Sequence, residues 1–246
     1  MNQKGGVGKS TTAINLATYL AQRGERVLIA DLDAQANATS GLGVTAGETG
    51  CMYDVLLEGR PLEEVAVPTS IEGLQVAPST INLVGAEVEL VSELAREFKL
   101  KRALDKLPEG MYTRVLLDCP PSLDLLTLNA LAAADEVLIP IQCEYYALEG
   151  LTQLMRSIRM VREELNPGLQ VGGVLLTMFD ARTNLSHQVA EEVRSFFGDR
   201  VFSAAIPRNV RLSEAPSFGQ PISLYAPQST GAEAYSAVAE EVLHRG

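Results

Sequence analysis

The clearest chemistry in the sequence lies in Lys4-Gly5-Gly6-Val7-Gly8-Lys9-Ser10-Thr11, which runs straight into Thr12-Ala13-Ile14-Asn15-Leu16-Ala17. Glycines let a backbone turn so that successive N–H groups point inward at phosphate oxygens. A helix that follows adds the positive end of its dipole. Lys9 is placed to neutralise the β- and γ-phosphates of a nucleoside triphosphate, and the Ser10 hydroxyl to coordinate Mg²⁺. The spacing is that of G-x-x-x-x-G-K-[ST], except that Gln3 stands at the first glycine. That departure coincides with an extra lysine, Lys4.

Two acidic pieces complete the constellation. In Ile29-Ala30-Asp31-Leu32-Asp33 an apolar run ends in two aspartates, which puts carboxylates at a strand's C-terminal end beside the phosphates. Alternation sends Asp31 and Asp33 to the same side. One can orient an attacking water while the other supports the Mg²⁺ shell or the loop. In Val115-Leu116-Leu117-Asp118-Cys119-Pro120-Pro121 a second apolar strand closes on an acid, the usual shape of the further Mg²⁺-site carboxylate. Asp118 is expected to act through a metal-bound water, and the two prolines to end the strand.

Short apolar runs and longer amphipathic stretches must position these groups. Strands are expected at 26–30, 74–77, 114–117, 136–141, 171–177 and 201–206. Helices are expected at 9–22, 81–107 (broken), 123–133, 150–165, 186–197 and 231–244, with Gly24 at the end of the first. Continuous rather than alternating hydrophobicity suits parallel strands covered on both faces. The fold class is therefore α/β: a doubly wound, mostly parallel sheet that binds its ligand beyond the carboxyl ends of the strands. One domain, 1–246, is expected, because no linker, low-complexity run or repeat interrupts the chain. A buried strand should lead into a phosphate loop, yet only Met1 and Asn2 precede Gln3. The first strand is expected to be missing, leaving an apolar slot. A start assigned too far downstream accounts for this better than deliberate trimming, and in-frame codons just upstream should then encode a β-branched apolar run.

Of the 246 residues 46% are hydrophobic, enough for a sizeable core. No apolar stretch nears the ~20 residues that cross a bilayer. Cys51, Cys119 and Cys143 are unclustered and read as reduced thiols. The net charge of −11 argues against indiscriminate nucleic-acid binding by the whole surface. Any such contact needs a local patch, for which 182–211 is the candidate: five arginines (182, 194, 200, 208 and 211) against Glu191, Glu192 and Asp199 give +2 locally and −13 elsewhere. Arg156, Arg159 and Arg162 read as the solvated flank of a helix whose Leu151, Leu154, Ile158, Val161 and Leu165 face the core. Tyr145 and Tyr146 follow a strand end, where they can pack at a dimer interface or cap the core. His187 and His244 are isolated and carry no assigned role.

Taken together, the chain resembles the deviant Walker-A P-loop ATPases of the ParA/MinD group, and within it the chromosomal ParA (Soj) partition family. The likeness covers essentially the whole chain: NQKGGVGKSTTAINLA from Asn2, DLDAQANATSGLG from Asp31, LLDCPPSLDLLTLNAL from Leu116, PIQCEYYALEGL from Pro140, LLTMFDARTNL from Leu175 and IPRNVRLSEAPSFGQPI from Ile206. The last three are the more specific to ParA. The resemblance implies that Lys4 reaches across an ATP-bound homodimer to the partner's phosphates. It implies that Lys9 and Ser10 are the ligands within one subunit, that Asp33 is needed for hydrolysis, that Asp118 belongs to the metal shell, and that Pro207, Arg208 and Asn209 hold adenine, with Thr177 and Met178 close by. Arg182 and Arg211 match arginines that bind double-stranded DNA nonspecifically. ATP and Mg²⁺ are the implied cofactors, a ParB-type centromere-binding protein the implied partner, and the cytoplasm, on the nucleoid, the implied location. Ala34 departs from the family by standing where proline is frequent, and no helix-turn-helix extension is present.

Three other readings differ in testable features. A MinD-like membrane ATPase needs a basic amphipathic tail, whereas 234–243 is acidic with small side chains. An electron-transfer ATPase needs two suitably placed cysteines per subunit for a shared cluster. A nonenzymatic, nucleotide-dependent scaffold would be indifferent to loss of Asp33.

Overall fold

The computed structural model describes residues 6–47, 49–144 and 147–245. Helix α1 (Lys9–Ala21) leads into β1 (Val27–Asp31), and the turn between them is made at Gly24, whose φ of +92° suits glycine alone. The short α2 (Asn37–Gly41) and α3 (Leu62–Val65) precede the antiparallel pair β2 (Val67–Pro68) and β3 (Leu74–Ala77). The broken helical stretch expected at 81–107 resolves into α4 (Leu83–Leu90), a single tight turn at Arg96–Phe98 and α5 (Lys99–Leu104). Then come β4 (Arg114–Asp118), α6 (Leu125–Ala133), β5 (Glu136–Gln142), α7 (Ala147–Glu164), β6 (Gln170–Thr177) and α8 (Asn184–Phe197). The chain closes with α9 (Val210–Glu214), α10 (Ile222–Tyr225) and α11 (Thr230–Arg245).

Five of the six expected strands form. The sixth, at 201–206, does not: only Val201 bridges to Val174, with Phe202 and Ile206 donating to the carbonyls of Val174 and Leu176. Ser203 and Ala204 instead give their N–H groups to the Glu241 carboxylate, which pulls the segment out of the ladder.

Both faces of the strands are covered, as the continuous apolar runs require. β1 is buried at every position, with Val27 and Ile29 packing under α1 and α11, and Leu28 and Ala30 under α4 and α6. In β6, Leu175 joins the α1/α11 side while Val174 and Leu176 pack against α7 and α8. Burying a leucine such as Leu20 of α1, 1% exposed, stabilises the fold by about 1.5–3 kcal/mol.

The strands form two separate ladders, β2-β3-β1-β4 and β5-β6, which are not hydrogen-bonded to each other. Helices bridge them all the same. Leu116 of β4 and Leu138 of β5 pack against the same α1/α11 cluster, and α6 gives Leu126 and Ala130 to one side and Leu131 to the other. Among the described residues no strand precedes α1 and none pairs with the far edge of β4. Val115 of β4 is 37% exposed, and Leu116 and Leu117 are only half-buried.

Candidate active site

The carboxyl ends of β1, β4 and β6 converge on the start of α1. Gly6 and Gly8 take left-handed backbone conformations, φ +77° and +90°, which turn the loop into the helix. Val7 between them is buried, and its carbonyl accepts a 2.9 Å hydrogen bond from Thr177 Oγ1 at the end of β6. No side chain caps α1 and no acid sits in its first turn, so its leading N–H groups remain available to an anion. Lys4 and Gly5 lie outside the described residues, as do Tyr145 and Tyr146.

Asp31 and Asp118 are direct neighbours on parallel strands. Asp31 is fully buried and fully engaged: its Oδ2 accepts from Thr39 N at 2.9 Å and Thr39 Oγ1 at 2.7 Å, and its Oδ1 from Asp33 N at 3.2 Å. Burial raises its pKa while these bonds lower it. Asp31 thus moors α2 to the strand end. Asp33 is held from the other side, its carbonyl accepting from Ser79 Oγ at 2.6 Å and its Oδ1 from Gln35 N at 3.0 Å. Among the described residues its Oδ2 makes no hydrogen bond, and the residue is 9% exposed.

Asp118 is the electrostatic centre. It is 2% exposed and its Oδ2 is buried without a hydrogen-bond partner. Burial, then the Asp31 charge, push its pKa up to about 7, against a hydrogen bond from the Ser10 side chain and the charge of Lys9. The Lys9 amine is pulled down by burial and held up by Asp118 and Asp33. An orphaned buried carboxylate oxygen beside a hydroxyl fits a hard cation, which would supply the missing partner and reverse the upward pKa shift. No group of three His, Cys, Asp or Glu among the described residues is arranged to hold a metal alone. Mg²⁺ therefore fits here only with phosphate oxygens as further ligands, through Ser10 and Asp118.

The segment after β6 joins the loop expected to hold adenine. Phe179 bridges to Pro207, and Arg208 N donates to Phe179 O at 3.1 Å. Met178, beside Thr177, has a left-handed φ of +51°, unusual outside glycine. The Asn209 side chain is committed elsewhere: Oδ1 caps α9 through Arg211 N and Nδ2 donates to Thr230 Oγ1. Arg208 is paired with Glu144, Arg182 with Asp180 and Arg211 with Glu214. All three acids lie outside 182–211, so the local +2 becomes −1 once they are counted. Cys119 and Cys143 are buried, and burial pushes their thiols up to about 12 and about 11.

Residues 1–171 match the model of an AAA domain family. The chain is 55% identical over 246 residues to the sporulation initiation inhibitor protein Soj of Bacillus subtilis, covering 100% of this chain and 97% of that protein. It is 57% identical over 245 residues to the chromosome partitioning protein ParA of Myxococcus xanthus, covering 99% of this chain and 86% of that one. It belongs to the Soj/ParA partitioning-ATPase family. Among solved structures, cobyrinic acid a,c-diamide synthase from Mycobacterium smegmatis with bound ADP and magnesium superposes with a TM-score of 0.86 at 37% identity, over 99% of this chain and 92% of that one. The doubly wound α/β P-loop fold read from the sequence is thus the fold of the family. Three residues make contacts at this site that no local spacing reveals. Thr177, Ser79 and Tyr235, whose hydroxyl pairs with Thr12 Oγ1 at 3.0 Å, all act on residues far away in sequence.

Proposed function

We propose that this protein is a DNA-segregation ATPase whose cofactors are ATP and Mg²⁺. ATP closes a homodimer, the dimer binds double-stranded DNA without sequence preference, and a ParB-type partner stimulates hydrolysis and release in the cytoplasm, on the nucleoid. The observation that carries the catalytic part is the orphaned Asp118 Oδ2 beside Ser10 and Lys9, at the head of an uncapped α1.

Bound Mg²⁺ would neutralise phosphate charge, held by the Ser10 hydroxyl and, through water, by Asp118. The N–H groups of Gly6, Val7, Gly8, Lys9, Ser10 and Thr11 cradle the phosphates, and Lys9 balances the charge that builds up on them. Asp33 Oδ2 orients the attacking water, while Asp31 and Ser79 keep Asp33 in place. Lys4 and Gly5 complete the loop, Lys4 by reaching the partner subunit's phosphates. Two acidic subunits gain a common polyanion this way, each giving a cation to the other's site. Pro207, Arg208 and Asn209 line the base; with the Asn209 amide engaged, main-chain groups do the recognising. Arg182 and Arg211 contact DNA by exchanging Asp180 and Glu214 for phosphates, which fixes position without reading sequence.

The membrane reading finds no support in α11, whose Tyr235, Val238 and Ala239 are buried in the core, and no helix among the described residues is long and apolar enough to cross a membrane. The deciding experiment is DNA binding at two salt concentrations with ATP, ADP or no nucleotide. Salt-sensitive binding only with ATP is the expected result, and equal binding in all three nucleotide states would remove the ATP switch.

A further inference from the structure

A shallow cup of about 380 Å³ lies between α7 and α8, where β6 begins. Ile158 and Leu169, both buried, are part of its lining, and the exposed Phe196 adds a further apolar wall. Arg159 and Arg162 border it from α7 and Arg200 from the turn after α8. A second hollow of about 360 Å³ is lined by the same two α7 arginines together with Glu163 and Pro167. β6 runs eight residues from Gln170 at the cup to Thr177 at the phosphate loop, so the two sites are roughly 20 Å or more apart.

Arg182, Arg208 and Arg211 each hold a carboxylate, whereas none of Arg159, Arg162 and Arg200 has one within 4 Å among the described residues. The adjacent acids Glu163 and Asp199 form no ion pair with them. With Glu163 and Asp199 counted, the three arginines leave +1 here on a chain of net charge −11, so an acidic partner is repelled less at this rim than over the chain as a whole.

We infer that this cup docks an acidic segment of a partner protein in which an apolar side chain is flanked by carboxylates. The apolar anchor seats on the half-buried Met155 and Val171 and the exposed Phe196, and the guanidinium forks take the carboxylates in paired hydrogen bonds. Duplex DNA would satisfy the arginines with phosphates but presents no side chain for an apolar floor, and the candidate DNA arginines Arg182 and Arg211 follow the opposite, carboxyl end of β6. A partner held here leaves the phosphate loop uncovered, so it can tether the ATPase without blocking the nucleotide.

The test is fluorescence anisotropy of the full chain with a labelled twelve-residue peptide that alternates glutamate pairs with leucine or phenylalanine. An all-glutamate peptide of equal charge and a labelled duplex serve as comparisons. Saturable binding of the alternating peptide is expected, weakened about tenfold or more in Arg159→Glu/Arg162→Glu and severalfold in Phe196→Ala, with ATP hydrolysis unchanged in both. No saturable binding overturns the inference, as does equal affinity for the all-glutamate peptide. Duplex binding that disappears in Arg159→Glu/Arg162→Glu also overturns it, by making the cup a nucleic-acid contact.

Discussion

At the scale of single residues, three aspartates that look alike in sequence have separate tasks set by their partners. Asp31 spends its oxygens on Thr39 and Asp33, Asp33 keeps one oxygen available, and Asp118 keeps one buried oxygen unpaired. Asp33→Ala is therefore expected to retain ATP binding while hydrolysis falls by about 10²–10⁴, measured as phosphate release against nucleotide affinity. Lys9→Ala is expected to lose nucleotide binding itself, seen by calorimetry, because a buried anion site would be left without its cation. A pH signature belongs to another carboxylate. Burial, together with a hydrogen bond to Asp124, raises Glu87 to about 7, and Asp124, which caps α6 through Thr127 N, is lowered by the bonds it accepts from Glu87 and Ser122. A pKa raised on folding means that the folded chain binds the proton more tightly, so Glu87 stabilises below its unfolded value of 4.5 and that contribution is lost as pH rises through about 7. Glu87→Gln keeps a donor for Asp124 and should flatten the melting temperature over that window. The phosphate loop and the aspartates were legible in sequence because short spacing encodes them. The division of labour was not, because it depends on Thr39 and Ser79 arriving from other elements.

At the scale of elements, the start of α1 is braced from behind. Tyr235 of α11 is buried against the first turn of α1, and its hydroxyl meets Thr12 Oγ1. Tyr235→Phe would leave the Thr12 hydroxyl buried without a partner and should cost about 1–2 kcal/mol in denaturant unfolding. Long elements were read well: α1, β1, β3, β4, β5 and β6 fall within a residue or so of their expected bounds, because apolar periodicity and helix ends are local signals. The segment 201–206 was misread because its apolar run is strand-like, while Glu241, distant in sequence, captures its N–H groups. A charge count over 182–211 is local in the same sense: three of its five arginines, Arg182, Arg208 and Arg211, pair with acids outside the window.

At the scale of the whole molecule, an acidic protein that binds DNA must do so through few cations. With two arginines per subunit, four per dimer, the salt slope should be about −3.6, so affinity should drop about a hundredfold between 50 and 200 mM salt. Arg211→Glu should abolish the binding while leaving ATP-dependent dimerisation, measured by light scattering, intact. The two-ladder sheet yields a second whole-molecule expectation. An N-terminal extension carrying a β-branched apolar strand should seat beside β4, cover Val115, Leu116 and Leu117, and raise the melting temperature by about 5 °C or more.

The margin of β4, open among the described residues, has a practical cost. The half-covered valine and leucine side chains along it form a sticky rim, on which extended segments of other molecules can lie down. Warming or concentrating the protein should then end in β-rich precipitate before cooperative melting, with an apparent transition that moves with heating rate. Loss of turnover in such a sample would track clouding of the solution, and a short soluble β-branched peptide added beforehand should delay both together.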